Sequence, residues 1–231
     1  MSRGASTVRT GSSAKAMYLS IIKGNLMQKV QEGTTGANRR TYEIKDPQTQ
    51  AVTEGHKWEL QHQDVYGRIV GVEFKDSKYG EQLVLKLWNE QDQITVFVTT
   101  AADGRYGTDF LKKFLEIDLS KEICFNTYDF MPEGSEKKRT GVSVTVDGEK
   151  IYSHYYDPKA KKTINGLPPV DETMRKSLGS NYWKIFFITE FAFLKGKAEE
   201  YAKGIIPAPE TTTEPVASTE PTEEEIDDMP F

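Results

Sequence analysis

The amino-acid sequence predicts a mainly β domain: a five-stranded Greek-key barrel with one helix between its third and fourth strands. Three observations predict it. Apolar and polar residues alternate at period two in several short runs, the pattern of half-buried strands. Gly67 and Gly71 interrupt the first of these runs, where a strand must bulge or curve. A single segment of helical periodicity follows the third run, an order not expected of an immunoglobulin-like sandwich.

Taken in order, residues 1–16 are rich in Ser, Gly and Ala, carry Arg3, Arg9 and Lys15, and read as a flexible basic arm. Residues 17–30 are apolar and broken by Gly24-Asn25, giving one strand or a loose hairpin. Residues 33–40 read as a loop holding Arg39 and Arg40. The first barrel strand is Val65–Phe74, followed by a polar, basic turn from Lys75 to Gly80. Leu83, Leu85 and Leu87 mark the second strand; Ile94, Val96 and Val98 mark the third. Thr108 is placed to cap a helix with Phe110, Leu111, Phe114 and Leu115 on one face and Lys112, Lys113 and Glu116 outside. A fourth strand spans Ile123–Phe130. After the charged loop Pro132–Arg139, Val142, Val144 and Val146 define the fifth. Asp147-Gly148 then turns the chain into a sixth, Lys150–Tyr156. Strand, strand, strand, helix, strand, strand is the order of an OB-fold. The N-terminal strand or hairpin is an addition to it. So are a short helix at about 171–178 and an aromatic stretch, Tyr182–Phe193, that ends in a helix reaching Lys203. The elaborated domain is thus expected over 17–204.

Residues 205–222 are Pro, Thr, Ala and Glu, a composition that cannot build a core and reads as a disordered linker. Residues 223–231 form an acidic tip. The chain has 231 residues, with 30 Lys plus Arg against 35 Asp plus Glu. Eight of those acids lie beyond residue 204, where there is no Lys or Arg, so residues 1–204 hold 27 acids against all 30 bases. A mildly basic body with a strongly acidic tail suits a polyanion-binding domain.

The same inventory excludes other classes. No apolar run approaches the roughly 18 residues of a membrane span, and no apolar stretch of a secretory signal follows Met1. Cys124 is the sole cysteine, which excludes an internal disulfide or a cysteine-rich zinc site, and its strand pattern places it in the core. A soluble protein of the cytoplasm is expected, without cofactor, metal or membrane partner. His56, His62 and His154 lack metal-site spacing, and no phosphate-binding Gly-x-x-x-x-Gly-Lys loop is present.

Function is carried by three groups of residues. With the leucines and valines of strands two and three facing inward, Lys86, Trp88, Thr95 and Phe97 face outward on the surface OB-folds use for oligonucleotides. Trp88 and Phe97 beside Lys86 suit a stacking platform for bases; the alternative is that both rings pack beneath the terminal additions. Lys75, Lys78 and Tyr79 in the first turn, and Lys137, Lys138 and Arg139 in the later loop, are placed to neutralise phosphates. Tyr152, Tyr155, Tyr156, Lys159, Lys161 and Lys162 form a further aromatic-basic cluster. The third group is the C-terminus. Acids ending in Asp227, Asp228, Met229, Pro230 and Phe231 make a docking peptide whose ring fills an apolar pocket while the carboxylates meet a basic rim.

Glu223–Phe231 after a Pro/Thr linker resembles the acidic tip of single-stranded DNA-binding proteins of bacteria and their phages, whose tails end in acids, an apolar residue or two, then Pro-Phe. The similarity is close over these nine residues and architectural over Trp58–Val146. The long N-terminal segment and the additions after Tyr156 depart from the compact bacterial domain and look more like a phage-encoded version, with the DNA path left open and the oligomeric state open too, a homo-oligomer being one option. The resemblance implies a non-catalytic protein that protects single-stranded DNA in a host cytoplasm. Its tail would compete with DNA for the basic groove and recruit proteins of DNA replication, recombination and repair. Two rivals stand beside it: an RNA-binding OB-fold, and a Mg²⁺-dependent nuclease using Asp64, Glu73 and Lys75.

Overall fold

Lys23 (φ 48°) and Gly24 (φ 82°) both take the left-handed conformation, the requirement of a two-residue hairpin turn. They join β1 (Lys15–Ile22) to β2 (Asn25–Val30), so the N-terminal segment is a tight hairpin. A side chain at position 24 would sit 2.3 Å from Asp129 Cβ, which makes glycine obligatory there. The computed structural model describes residues 15–45 and 52–208. The arm up to residue 14, the linker from residue 209 and the acidic tip lie outside the described residues.

The chain continues through β3 (Asn38–Lys45), β4 (Val52–His62), β5 (Asp64–Ser77), β6 (Gly80–Asn89), β7 (Ile94–Ala101), α1 (Arg105–Phe114), β8 (Glu122–Phe130) and β9 (Arg139–Val146). Short pieces β10 (Glu149–Lys150), β11 (Tyr156–Asp157) and β12 (Lys162–Thr163) precede α2 (Glu172–Leu178) and α3 (Ser180–Ala202). Arg39 and Arg40 belong to β3 rather than to a loop, because the Arg40 guanidinium grips both carboxylate oxygens of Glu59 on β4 at 2.8 and 3.0 Å. β5 and β6 run closer to their turn than the sequence suggests, leaving Lys78-Tyr79 between them. The β5–β6 register shifts between Ile69 and Gly71, the bulge expected of the glycine-punctuated strand.

Ten strands form one mixed, open sheet in the order β10-β9-β8-β5-β6-β7-β1-β2-β4-β3, antiparallel throughout except where β1 runs parallel to β7. A closed five-stranded barrel is not what forms, and the reason lies at the outer edge of β9. The Val142 N–H donates to Asp109 Oδ2 at 2.8 Å. Lys113 Nζ donates to the Val142 carbonyl and, at 2.7 Å, to the same Asp109 oxygen. Farther along, the Ile151 N–H donates to the Val144 carbonyl at 2.8 Å, and β10 pairs with Thr145 and Val146. With these groups taken by α1 and by the returning chain, this stretch of the edge is not open to β7. β7 takes β1 instead, from Lys15↔Ile94 to Ser20↔Thr99.

The core lies on one face of this curved sheet. Ile69, Leu83, Leu85, Leu87, Val96, Val98, Phe125, Val142 and Val144 are buried there together with Leu19 and Leu26 of the hairpin and Phe110, Leu111 and Phe114 of α1. Several local expectations need correcting. α1 begins at Arg105 behind Gly104, so Thr108 lies inside the helix and its hydroxyl donates to the Gly104 carbonyl. Lys113 is buried rather than outside, drawn in by β9. The sixth strand shrinks to β10, since the chain turns away after Ile151. Cys124 points to the face opposite the core, across from Tyr66, and is partly exposed. α2 starts where Asp171 accepts from the N–H groups of Thr173 and Met174, and the aromatic stretch after it is one continuous helix. No helix among the described residues is long and apolar enough to cross a membrane.

Replacing Lys113 with Met leaves the Val142 carbonyl and the Asp109 carboxylate short of a donor, and should cost about 1–3 kcal/mol in urea unfolding. An unchanged midpoint would mean that α1 does not seal the β9 edge.

Candidate functional site

The face of the sheet opposite the core carries Tyr66, Arg68, Glu73 and Lys75 from β5, Lys86 and Trp88 from β6, Thr95, Phe97 and Thr99 from β7, and Tyr18 from β1. Period two places Trp88 on this face as expected, yet it is not exposed: only 6 % of its surface meets solvent. Its cross-strand partner Arg68 donates to the carbonyls of Ile206 and Pro207 at 2.7 and 3.3 Å, so the chain leaving α3 is tied to this face of the sheet through Arg68. A buried indole can contribute roughly 150–250 Å². Trp88 is therefore part of the packing, and the expected platform loses its largest ring.

A different pair of rings takes its place. Tyr18 and Phe97 are direct partners in the parallel β1–β7 ladder, and their rings stack with centroids 4.8 Å apart and planes 14° apart. Tyr18 is 38 % exposed and Phe97 half-buried beneath it. Lys86 Nζ lies 5.7 Å from the Phe97 centroid and is also paired with Glu73, to which Lys75 comes within 3.7 Å. Farther across the face, Tyr66 is exposed and donates to Asp64 at 3.2 Å. The adjoining Cys124 and the Asp64 carboxylate push the Tyr66 hydroxyl up to about 12, so this ring stays neutral.

At the end of the same strands lies a cleft of about 360 Å³, walled by Ile21, Lys23, Tyr79, Gln82, Arg105, Tyr106 and Thr140. It joins the β1–β2 turn, the β5–β6 turn, the start of α1 and Thr140 of β9, and its basic lining residues are Lys23 and Arg105. Lys75 is the cross-strand partner of Gln82, which makes the cleft continuous with the sheet face. Lys78 Nζ lies 5.2 Å from the Tyr79 ring. Lys137, Lys138 and Arg139 are exposed where the chain enters β9. Lys138 bonds Asp129 at 2.9 Å; that hydrogen bond, with a second from Thr140, holds the Asp129 carboxyl below the usual carboxylate range. Burial and the Asp129 charge push the nearby Tyr106 hydroxyl up.

The other candidates disperse. Tyr155 is buried in the core, whereas Tyr152 and Tyr156 are exposed, with Lys150 Nζ 5.9 Å from the Tyr152 ring. Asp64 and Glu73 share a face but stand nine residues apart on one strand, on the order of 30 Å when extended. Asp64 is bound by Tyr66 and Glu73 by two lysines, so they do not converge. The three histidines stand apart: His56 beside Thr41, His62 on Gln28, and His154 on Glu116. Among the described residues no three acidic, His or Cys side chains cluster as metal ligands would. Asp227, Asp228, Met229, Pro230 and Phe231 lie outside the described residues. The sequence pattern did not single out Tyr18, Tyr66, Lys23 or Arg105; Tyr18 becomes a site residue only through a pairing with a strand nearly eighty positions away. Compared with known proteins, the chain matches no family model, no curated protein and no solved structure.

Because its folded carboxyl is depressed, Asp129 stabilises the fold above the ordinary carboxylate pKa of about 3.9, and that contribution fades as pH falls through its own lower value. In a carboxyl ¹³C titration Asp129 should protonate below the ordinary aspartate range, and Lys138→Met should raise its midpoint toward that range. A normal Asp129 midpoint in the unaltered chain would contradict this geometry.

Proposed function

We propose that the protein binds single-stranded DNA without sequence choice and without catalysis, and that its acidic tip recruits proteins of replication, recombination and repair. The observation that carries the reading is the stacked Tyr18–Phe97 pair on the outer sheet face, Tyr18 exposed and Phe97 half-buried, with Lys86 beside it. Every base offers a π-face, and stacking one on an aromatic side chain is worth roughly 1–3 kcal/mol regardless of sequence. A duplex keeps those faces occupied, so an exposed stack selects unpaired strands. The backbone of the strand would meet Lys86 and Lys75 on the face, then Lys78, Tyr79, Lys23 and Arg105 at the cleft, and Lys137, Lys138 and Arg139 on the far rim. Each phosphate neutralised there releases counterions.

The connectivity supports the same reading. β5, β6, β7, α1, β8 and β9 follow one another as in an OB-fold, and their pairing order β9-β8-β5-β6-β7 is that of such a barrel opened at the β7–β9 seam. β1 then extends the binding face by one strand. Recruitment rests on residues 223–231, whose acids and terminal phenylalanine suit a basic-rimmed apolar pocket on a partner.

Anisotropy of a labelled oligo-dT tests the reading. Tyr18→Ala and Phe97→Ala should each weaken binding by about 1–3 kcal/mol. The logarithm of affinity should fall with that of salt concentration by about 0.7 per phosphate neutralised. Removing Glu223–Phe231 should preserve or tighten binding. Unchanged affinity in both ring variants would overturn the site, and tighter binding of the matched RNA oligomer would transfer the activity to RNA.

A further inference from the structure

α2 and the first half of α3 stand out from the rest of the chain because little covers them. No residue of α2 is buried, and in Ser180–Thr189 only Tyr182 is. Anchorage comes from the second half of α3. There Lys112 of α1 reaches Glu190 at 3.1 Å, Leu194 and Ala198 are buried, and the Tyr201 hydroxyl donates to the Ile117 carbonyl. Ahead of that anchor the helix is apolar on every side. Trp183, Ile185, Phe187 and Ile188 are 37, 49, 56 and 69 % exposed, and Met174 and Leu178 of α2 are 46 and 37 % exposed. The rings are ordered against one another: Trp183 stacks on Phe187 and Tyr182 on Phe186. A helix that is apolar all round belongs in an interior.

At about 200 Å² per large side chain, those six exposures amount to roughly 600 Å² of apolar surface, the upper limit for a monomer. One partner of a standard interface contributes roughly 800 Å², about 65 % of it apolar in homodimers. The projection thus holds what one subunit of a dimer must supply. Its chemistry disfavours other occupants. Beside the Arg175–Glu172 ion pair, the projection's charges are Lys176 and Lys184, too few for the basic face that an interfacial membrane helix needs. The most exposed residues, Ile188 and Phe187 with Ile185, include two aliphatics that present no π-face to a nucleic acid base. Two lysines on a mainly apolar surface are likewise a poor match for an acidic peptide.

We propose that two copies of this chain associate through an isologous contact of their α2–α3 projections, Ile188, Phe187 and Trp183 at its centre. This surface is separate from the Tyr18–Phe97 face, and the proposal stands or falls without reference to nucleic acid.

Sedimentation of the full, nuclease-treated chain at micromolar concentration tests it. The expected mass is twice 26.1 kDa. Ile188→Glu should weaken association by at least about thirtyfold, a hot-spot effect. It should also leave the helical circular dichroism of the single chain unchanged, because that side chain is exposed there. The dimer should survive removal of Glu223–Phe231. A wild-type monomer across this range would overturn the proposal, and pelleting of that monomer with anionic phospholipid vesicles would reassign the surface to lipid. A dimer indifferent to Ile188→Glu, or one lost with the tip, would overturn it equally.

Discussion

Much of this structure follows from how one strand edge is satisfied. β9 has β8 on one side; on the other, the Val142 N–H and carbonyl are taken by Asp109 and Lys113 of α1, and the next groups by the chain returning through Ile151. Buried backbone groups must find partners, and a carboxylate and an ammonium do so with charge-assisted bonds stronger than a neutral ladder bond. Once β9 is occupied, β7 has a free edge in the middle of the fold. Leaving it bare would expose a template for aberrant pairing. β1 fills it, and because β1 runs parallel to β7, Tyr18 lands on Phe97. The seam that fails to close is what creates the ring pair.

Electrostatically the outer face is balanced rather than uniformly basic. Glu73 sits between Lys75 and Lys86, and Lys86 also lies beside the Phe97 ring. A cation–ring contact at such a half-exposed place is worth roughly 0.5–1 kcal/mol, and an exposed ion pair about as little. Neither holds the lysine firmly, so an incoming phosphate can draw it away at small cost. The Lys138–Asp129 pair is different, because Asp129 also accepts from Thr140 and packs under Gly24. It fixes the base of the β8–β9 loop and leaves Lys137 and Arg139 to face outward.

How much of this was legible in the sequence depended on whether the deciding partner was near in the chain. The Gly67/Gly71 bulge, the Asp147-Gly148 turn and the short helix at about 171–178 are local and were readable, as was the inward alternation of Leu83, Leu85 and Leu87. β3 and most of β4 were not, since as peripheral strands they carry Arg, Thr, Glu, Lys and Gly in place of an apolar alternation. Period two correctly assigned Trp88 to the outer face, but nothing local revealed that it is buried there or that its cross-strand partner Arg68 binds the carbonyls of Ile206 and Pro207. Lys113 looked like a solvent-facing helix residue because the carbonyl that draws it inward is twenty-nine positions away. The acid-and-phenylalanine tip was the plainest signal of all, and it belongs to a part of the chain that the fold does not explain.

The most direct test of the proposed binding face is photocrosslinking to an oligo-dT carrying 5-iodouracil at every position, followed by peptide mapping. The account requires the principal adducts at Tyr18 and Phe97, with minor ones at Tyr79. Adducts confined to Tyr152 and Tyr156, with Tyr18 and Phe97 unlabelled, would place the nucleic acid elsewhere and remove the stacked pair from the function.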